Sequence, residues 1–388
     1  MPNRVVITGV GCLTPLGNNF QEVQNSLLTG TTGIANSESL DWPVGSVKYD
    51  IDSEYDRFDL QVTDRFARGG YLAYRQARQD SGISPEGIYL GVSNGAGHEA
   101  QKAYSELFEK DRVRPNTLIT FMLNSAVNFI TKKEQINGPA FTFSAACASS
   151  SIAIGEAYKA IRNGDYNVLA AGGSDFCLTT MSLRCWQAMM ATGKESKPFS
   201  QTRKGIVLSE GSVILFLENL DSALARKAPI YGEIVGYGIS CGAETITKPN
   251  QQGQIDAIKK AIANLNVDDI TYINAHGTGT PVGDIVELHS ILSVFGDKTK
   301  NIPVSSTKNL HGHLLGNSGG MEMLSCLTVL LNDKIIPNWN LTDPDKDIPK
   351  EIFLPTSIID KTQKVCLNNT FAFGGTNIVL ALEKYHES

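Results

Sequence analysis

Short apolar runs and amphipathic stretches follow one another along the chain in a regular order. Residues 5–8 read as a buried strand, and 9–18 as a loop punctuated by glycine and proline. Phe20–Thr29 has helical spacing, and 64–81 reads as a helix with a basic face carrying Arg65, Arg68, Arg75 and Arg78. Residues 89–92 and 141–143 are strand-like, and 148–162 is a helix that Gly164 closes. Strands follow at 167–171 and within 206–218, then a short helical stretch at 220–226. Beyond Ala228-Pro229 the pattern predicts strands at 231–242, 270–275, 304–306, 365–367 and 378–383. Helices are predicted at 254–263, 286–295 and 317–332.

Strands and helices thus alternate throughout, which predicts an α/β protein with helices covering its sheets. The connector divides it into halves at 1–228 and 229–388. Each half holds a strand, a loop of small residues and a helix, but no repeat is visible residue by residue.

At 388 residues and 41% hydrophobic, the chain can bury a large core. A net charge of -6 argues against a general nucleic-acid binder. No apolar run reaches the length of a membrane span, and residues 1–11 lack the apolar region of a signal peptide. The seven cysteines are scattered, with no CxxC, so neither a disulfide framework nor a zinc knuckle is expected. These features predict a soluble, cytoplasmic protein without nucleic-acid or membrane partners.

Four stretches carry candidate chemistry. Ser144-Ala145-Ala146-Cys147-Ala148-Ser149-Ser150 places a thiol between a strand and a helix start, where the helix dipole favours a thiolate nucleophile. Asn274-Ala275-His276-Gly277-Thr278-Gly279-Thr280-Pro281-Val282-Gly283-Asp284 delivers His276 onto a loop whose two threonines suit the amides of an extended ligand. Asp284 and Glu287 there read as acids opening the next helix. Lys308, His311 and His313 follow a third strand, and no further ligand at a recognisable spacing makes the two histidines a metal site. Phe371-Ala372-Phe373-Gly374-Gly375-Thr376-Asn377 reads as a backbone N–H donor turn beneath an aromatic lid.

Together, in this order, the four stretches resemble the elongating β-ketoacyl-acyl-carrier-protein synthases of the thiolase superfamily, over about Val5 to Leu382. The resemblance implies a five-layered αβαβα fold of two similar halves, usually dimeric. It implies a decarboxylating condensation of an acyl group on Cys147 with a malonyl unit, in fatty-acid or polyketide and polyene assembly. His276 and His313 match the pair acting on the malonyl unit. Lys308 matches the lysine that fixes the second of these histidines, and Glu322 the far end of that network. Thr278, Thr280, Phe373 and Gly374 match substrate-binding positions, and the Phe373 N–H would share an oxyanion hole with that of Cys147.

The resemblance further implies substrates carried on the phosphopantetheine of an acyl carrier protein, with no tightly bound cofactor and no metal. Arg65, Arg68, Arg203 and Lys204 match the carrier-docking surface, and residues 115–125 a tunnel and dimer face. The partner subunit would be an identical chain or a related ketosynthase or chain-length factor. Ser150, His311 and the shortened Thr202-Arg203-Lys204-Gly205 stretch depart from the family pattern. The rival reading is a catalytically silent, chain-length-factor-like partner, against which the retained Cys147, His276, His313 and Lys308 count. A thiolase acting on CoA esters lacks its second catalytic cysteine here.

Overall fold

The computed structural model describes residues 2–242 and 245–386. The first half contributes strands β1 (Val5–Leu13), β2 (Gly87–Gly91), β3 (Ala140–Phe143), β4 (Val168–Asp175) and β5 (Gly211–Asn219). The second contributes β6 (Gly232–Cys241), β7 (Ile270–Asn274), β8 (Val304–Ser305), β9 (Val365–Phe371) and β10 (Thr376–Glu383). The helices that matter to the site are α1 (Arg65–Ser81), α2 (Ser149–Asn163), α3 (Thr180–Ala188), α4 (Gln251–Ala261), α5 (Gly283–Phe295) and α6 (Ser318–Asn332).

The ten strands run β8-β7-β9-β10-β6-β1-β5-β4-β2-β3 across one sheet. Its middle is thin: β1 and β6 pair only through Val5 with Ile234, Val6 with Glu233 and Ile7 with Gly232. On either side lies a five-stranded unit with one and the same order, third-second-fourth-fifth-first. The directions match as well. β2 runs parallel to β3 and β4 while β5 is antiparallel to β4 and β1. In the second unit β7 runs parallel to β8 and β9 while β10 is antiparallel to β9 and β6.

Three hydrophobic clusters fill the spaces between layers. α1 packs Phe66, Ala73 and Ala77 on the outer face of the first unit. α4 and α5 pack Ala257, Ile258, Leu288 and Ile291 on the outer face of the second. α2 and α6 lie between the units, where Ile154, Ile161, Met323 and Leu327 share a cluster with strand residues of both. This is the five-layered αβαβα arrangement.

Residues 9–13, expected as loop, continue β1 instead. The glycines there serve a close approach: a Cβ on Gly11 would lie 1.9 Å from the Ala73 carbonyl oxygen of α1, and one on Gly9 2.4 Å from that of Ala77. Gly238 and Gly236 of β6 meet Ala257 and Ala261 of α4 in the same way, at 1.9 and 2.0 Å. Ile7-Thr8-Gly9-Val10-Gly11 and Ile234-Val235-Gly236-Tyr237-Gly238 are therefore equivalent positions, a residue-level repeat that the pattern alone did not reveal. Helices Gly97–Lys110 and Thr180–Ala188 were also not anticipated.

Candidate active site

The chemistry gathers where strands of both units end. Cys147 sits in the turn between β3 and α2, one residue before the Ala148 that caps the helix. Ala146 takes a left-handed φ of 48°, uncommon for a residue with a side chain. The Ser149 hydroxyl holds this turn, accepting from the Ala145 N–H at 2.9 Å and donating to the Ala146 carbonyl at 2.7 Å. In the second unit Leu315, φ 52°, stands three residues before α6, as Ala146 stands three before α2.

His276 follows β7. Glu287 of α5 turns back and accepts the N–H groups of His276 and Gly277, both at 2.8 Å. Asn369 of β9 donates to the same carboxylate at 3.1 Å. Asp284 accepts the Gly279 N–H at 3.0 Å and the Phe199 N–H at 2.9 Å, fixing the rest of the loop. Asp284 does lie in the first turn of α5, but Glu287 comes a turn later, and the carboxylates of both are structural clamps on the histidine loop, which composition could not reveal. Asp175 does similar work at the end of β4, accepting N–H groups of Ser93, Asn94, Gly95 and Gly316.

Lys308 donates to the His276 carbonyl at 2.6 Å, lies 3.4 Å from its Nδ1, and forms a fully buried ion pair with Glu322. It therefore holds the first histidine, not the second as expected. His313 is oriented instead by the Leu315 N–H, which donates to its Nδ1 at 3.0 Å, with the Ser318 hydroxyl at 3.2 Å. An ammonium and a backbone N–H only donate, so both Nδ1 atoms accept and both Nε2 atoms carry the proton. The rings meet edge to face, 5.6 Å between centroids. One ring nitrogen of each and Cys147 Sγ lie within 4.8 Å of one another, all three residues buried.

Three such atoms could also take a zinc ion. The Lys308 ammonium on His276 places positive charge against that use. Burial first and Lys308 second hold both imidazoles well below their ordinary pKa, hence neutral. Burial pushes the Cys147 thiol up to about 12, against the nearby Lys308 charge and the main-chain N–H groups of Cys147 and Phe373 at its sulfur. The helix start alone therefore does not make a thiolate here, contrary to expectation. Burial also raises Glu322, with Lys308 opposing.

Phe373 and Gly375 lie on a one-turn segment after β9, with Gly374 and Gly375 at φ 82° and 78°. The Phe373 ring stacks on Trp186 of α3 at 5.8 Å and 24°. A cavity of about 440 Å³ joins Cys147, His276, His313, Thr278, Thr280 and Phe373, with Lys204 at its edge. The threonine hydroxyls bond each other at 3.1 Å. Gly374 does not line it: this glycine is exposed and its N–H goes to the Ile246 carbonyl at 2.7 Å. A larger hollow of about 610 Å³, around Arg75 and Arg78, contains none of these groups.

Two of the four docking candidates need correction. Arg68 is buried, held by Asp52 at 3.0 Å and the Thr63 carbonyl at 2.5 Å. Arg203 is buried under the threonine loop, donating to the carbonyls of Thr280 and Pro281 and to Asp345. Neither is free to meet a carrier. Arg65 is three-quarters covered, pairs with Glu210 at 3.3 Å and lines a separate hollow. Lys204 is exposed beside the cavity. His311 neither joins the site nor faces solvent: it is fully buried, with Nε2 on the Thr307 hydroxyl at 3.0 Å.

A five-layered fold of two equivalent halves, with a cysteine and two histidines meeting between them, defines a thiolase-fold condensing enzyme. Residues 2–223 match the beta-ketoacyl synthase N-terminal domain, and 231–342 the C-terminal domain. The chain belongs to the beta-ketoacyl synthase family. It is 34% identical over 409 residues to 3-oxoacyl-[acyl-carrier-protein] synthase 2 of Synechocystis sp., covering 98% of each chain. It is 34% identical over 402 residues to nodulation protein E of Rhizobium meliloti, covering 99% of this chain and 100% of that one. Among solved structures, the ishigamide ketosynthase/chain length factor matches with a TM-score of 0.94 at 27% identity, covering 100% of both chains.

Proposed function

We propose that this protein is a 3-oxoacyl-acyl-carrier-protein synthase, joining an acyl group on Cys147 to a malonyl unit with loss of CO2. The observation that carries this reading is the pair of neutral imidazoles, both Nε2–H groups free of internal partners among the described residues, beside a buried thiol.

In the first half-reaction the Cys147 sulfur attacks the acyl thioester, and its proton ends on the departing phosphopantetheine thiol. The main-chain N–H groups of Cys147 and Phe373, both beside the sulfur, would hold the tetrahedral oxyanion that develops on the thioester's carbonyl oxygen. Thr278 and Thr280 would meet the phosphopantetheine arm in the cavity. In the second, the malonyl thioester breaks its bond to the carboxylate. The electron pair passes onto the thioester oxygen, which the Nε2–H groups of His276 and His313 can hold. The resulting carbanion attacks acyl-Cys147, the sulfur leaves and takes up a proton, and a 3-oxoacyl thioester remains. No general base is needed, which suits two neutral donors.

Acyl carrier protein is the partner this chemistry requires, with Lys204 as its contact at the cavity. A second ketosynthase-type chain is the other: β3 is an edge strand with Phe141 half exposed, and Leu118, Ile119 and Met122 add exposed apolar surface in the same half. The two sheet units suggest a boundary between Asn219 and Gly232. No helix among the described residues is long and apolar enough to cross a membrane, and a cytoplasmic setting is part of this proposal. The silent-partner alternative gains nothing from the comparisons.

Intact-mass analysis with acyl-carrier and malonyl-carrier proteins tests the reading. An acyl adduct on Cys147 followed by a 3-oxoacyl product is expected, Cys147→Ala should abolish condensation, and Cys147→Gln should keep malonyl decarboxylation. Absence of any adduct on the unaltered protein would reject it.

A further inference from the structure

The main chain of the Phe373 turn is anchored within its own half, where Gly375 packs so closely on Gly242 that a Cβ would lie 2.0 Å from its carbonyl oxygen. Both its glycines are left-handed, and a Cβ on Gly374 would meet nothing within 4 Å. Among the described residues its ties are Gly374 N–H to the Ile246 carbonyl, Gly242 N–H to the Gly375 carbonyl, Ala372 N–H to the Thr376 carbonyl, Gly375 N–H to the Ala372 carbonyl, and the side chains of Asn377 and Cys241 donating to the Gly375 and Gly374 carbonyls. All of these lie in the second half. The Phe373 side chain reaches across to the first half, where the half-buried Trp186 stacks on it. Trp186 itself stands on α3, whose N-terminus is capped by Thr179 and whose Leu183 is buried, so its base is firm. Trp186, Phe373 and Cys147 line one cavity.

We propose that Trp186 is a positioning residue that clamps the Phe373 turn from the opposite half, keeping the Phe373 N–H on the Cys147 sulfur during acyl transfer. This rests on the function proposed above. It sharpens that function by assigning the two half-reactions different dependence on one side chain. The clamp serves the oxyanion of acyl transfer. Decarboxylation relies on His276 and His313, which Lys308, Glu287 and Leu315 orient without Trp186. Aromatic stacking of this kind is worth roughly a three- to tenfold change in an equilibrium or rate.

The test is single-turnover acylation of Cys147, followed by intact mass over a range of acyl-carrier concentrations. Trp186→Leu should lower the maximal acylation rate about three- to tenfold and leave the half-saturating carrier concentration within about twofold. Trp186→Phe, which can still stack, should recover most of the rate. Placed in the Cys147→Gln background, Trp186→Leu should leave malonyl decarboxylation within about twofold, since the histidines do not depend on the clamp. Phe373→Leu removes the same stack but keeps the N–H, so it should reproduce the loss, and the double variant should fall no further than either single one. That second variant also carries the test if Trp186→Leu does not fold. An unchanged acylation rate, equal loss in both half-reactions, or additive loss in the double variant would overturn the clamp. A wild-type protein that forms no adduct at all would overturn the function instead.

Discussion

The Lys308 ammonium donates to the main-chain carbonyl of His276 at 2.6 Å, and its only carboxylate partner among the described residues is Glu322. One cation thus fixes the loop that carries the first histidine, sets its tautomer and lowers its affinity for a proton. His313 has the same tautomer by a different route, a backbone N–H. The two Nε2–H donors are alike although the devices behind them differ.

Lys308→Met should therefore cost both activity and stability. It leaves Glu322 buried without its counter-ion, a loss of about 3–5 kcal/mol. Denaturant unfolding should show it, and condensation should fall further than acyl transfer to Cys147. Lys308→Met combined with Glu322→Leu should regain much of the stability and none of the condensation. Recovery of activity in the double variant would mean that Lys308 serves only to neutralise Glu322.

The pH dependence follows from the same contacts. Both histidines sit well below the ordinary 6.5, through burial and then the Lys308 charge. A base with a lowered folded-state pKa binds its proton mainly in the unfolded state. Its stabilising contribution is complete above pH 6.5 and is lost as pH falls below that value. The acid limb of malonyl decarboxylation should accordingly lie clearly below pH 6.5, and Lys308→Met should move it upward. A limb at or above 6.5 in the unaltered protein would show that an imidazolium is formed too readily for this assignment.

Glu287 receives two main-chain N–H groups of the His276 loop and is itself pushed up to about 7 by burial. Glu287→Ala frees both. Misplacement of His276 by even an ångström should reduce decarboxylation about ten- to hundredfold. Acylation of Cys147 should change much less, and comparing the two half-reactions checks it.

Arg203 and Lys204 are adjacent in sequence and should behave oppositely. Lys204→Glu should raise the KM for carrier-bound acyl groups and spare small thioesters, because it changes only the charge beside the cavity. Arg203→Ala removes the support beneath Thr280 and Pro281 and should impair both substrate classes while lowering stability by about 3 kcal/mol or more, since Asp284 and Asp345 lose their partner. A KM effect of Arg203→Ala confined to carrier substrates would restore it to the docking surface.

Gly11→Ala and Gly238→Ala test the repeat. Each introduces a methyl 1.9 Å from a helix carbonyl, so strand and helix must separate. Each should cost about 1–3 kcal/mol or more by urea unfolding. Tolerance at one site and not the other would break their equivalence.

By itself the sequence determined the order of strands and helices, most of their centres, and the four short stretches from which the site is built. These are local matters: periodicity, turn residues, and a reactive side chain set among small neighbours. It misjudged β1, because Gly9 and Gly11 look like turn residues until a helix is seen resting on them. The resemblance put Arg68 and Arg203 on a docking surface; Arg68 is instead buried against nearby Thr63 and Asp52, and Arg203 against carbonyls more than seventy residues away in the chain. Only the tertiary structure decided which histidine Lys308 holds and that Glu287 and Asp284 turn back to clamp a loop. It also raised the pKa of Cys147, which a helix start alone was expected to lower. Each of these depends on burial or on partners brought together by folding, and desolvation acts on a group only once other segments have covered it.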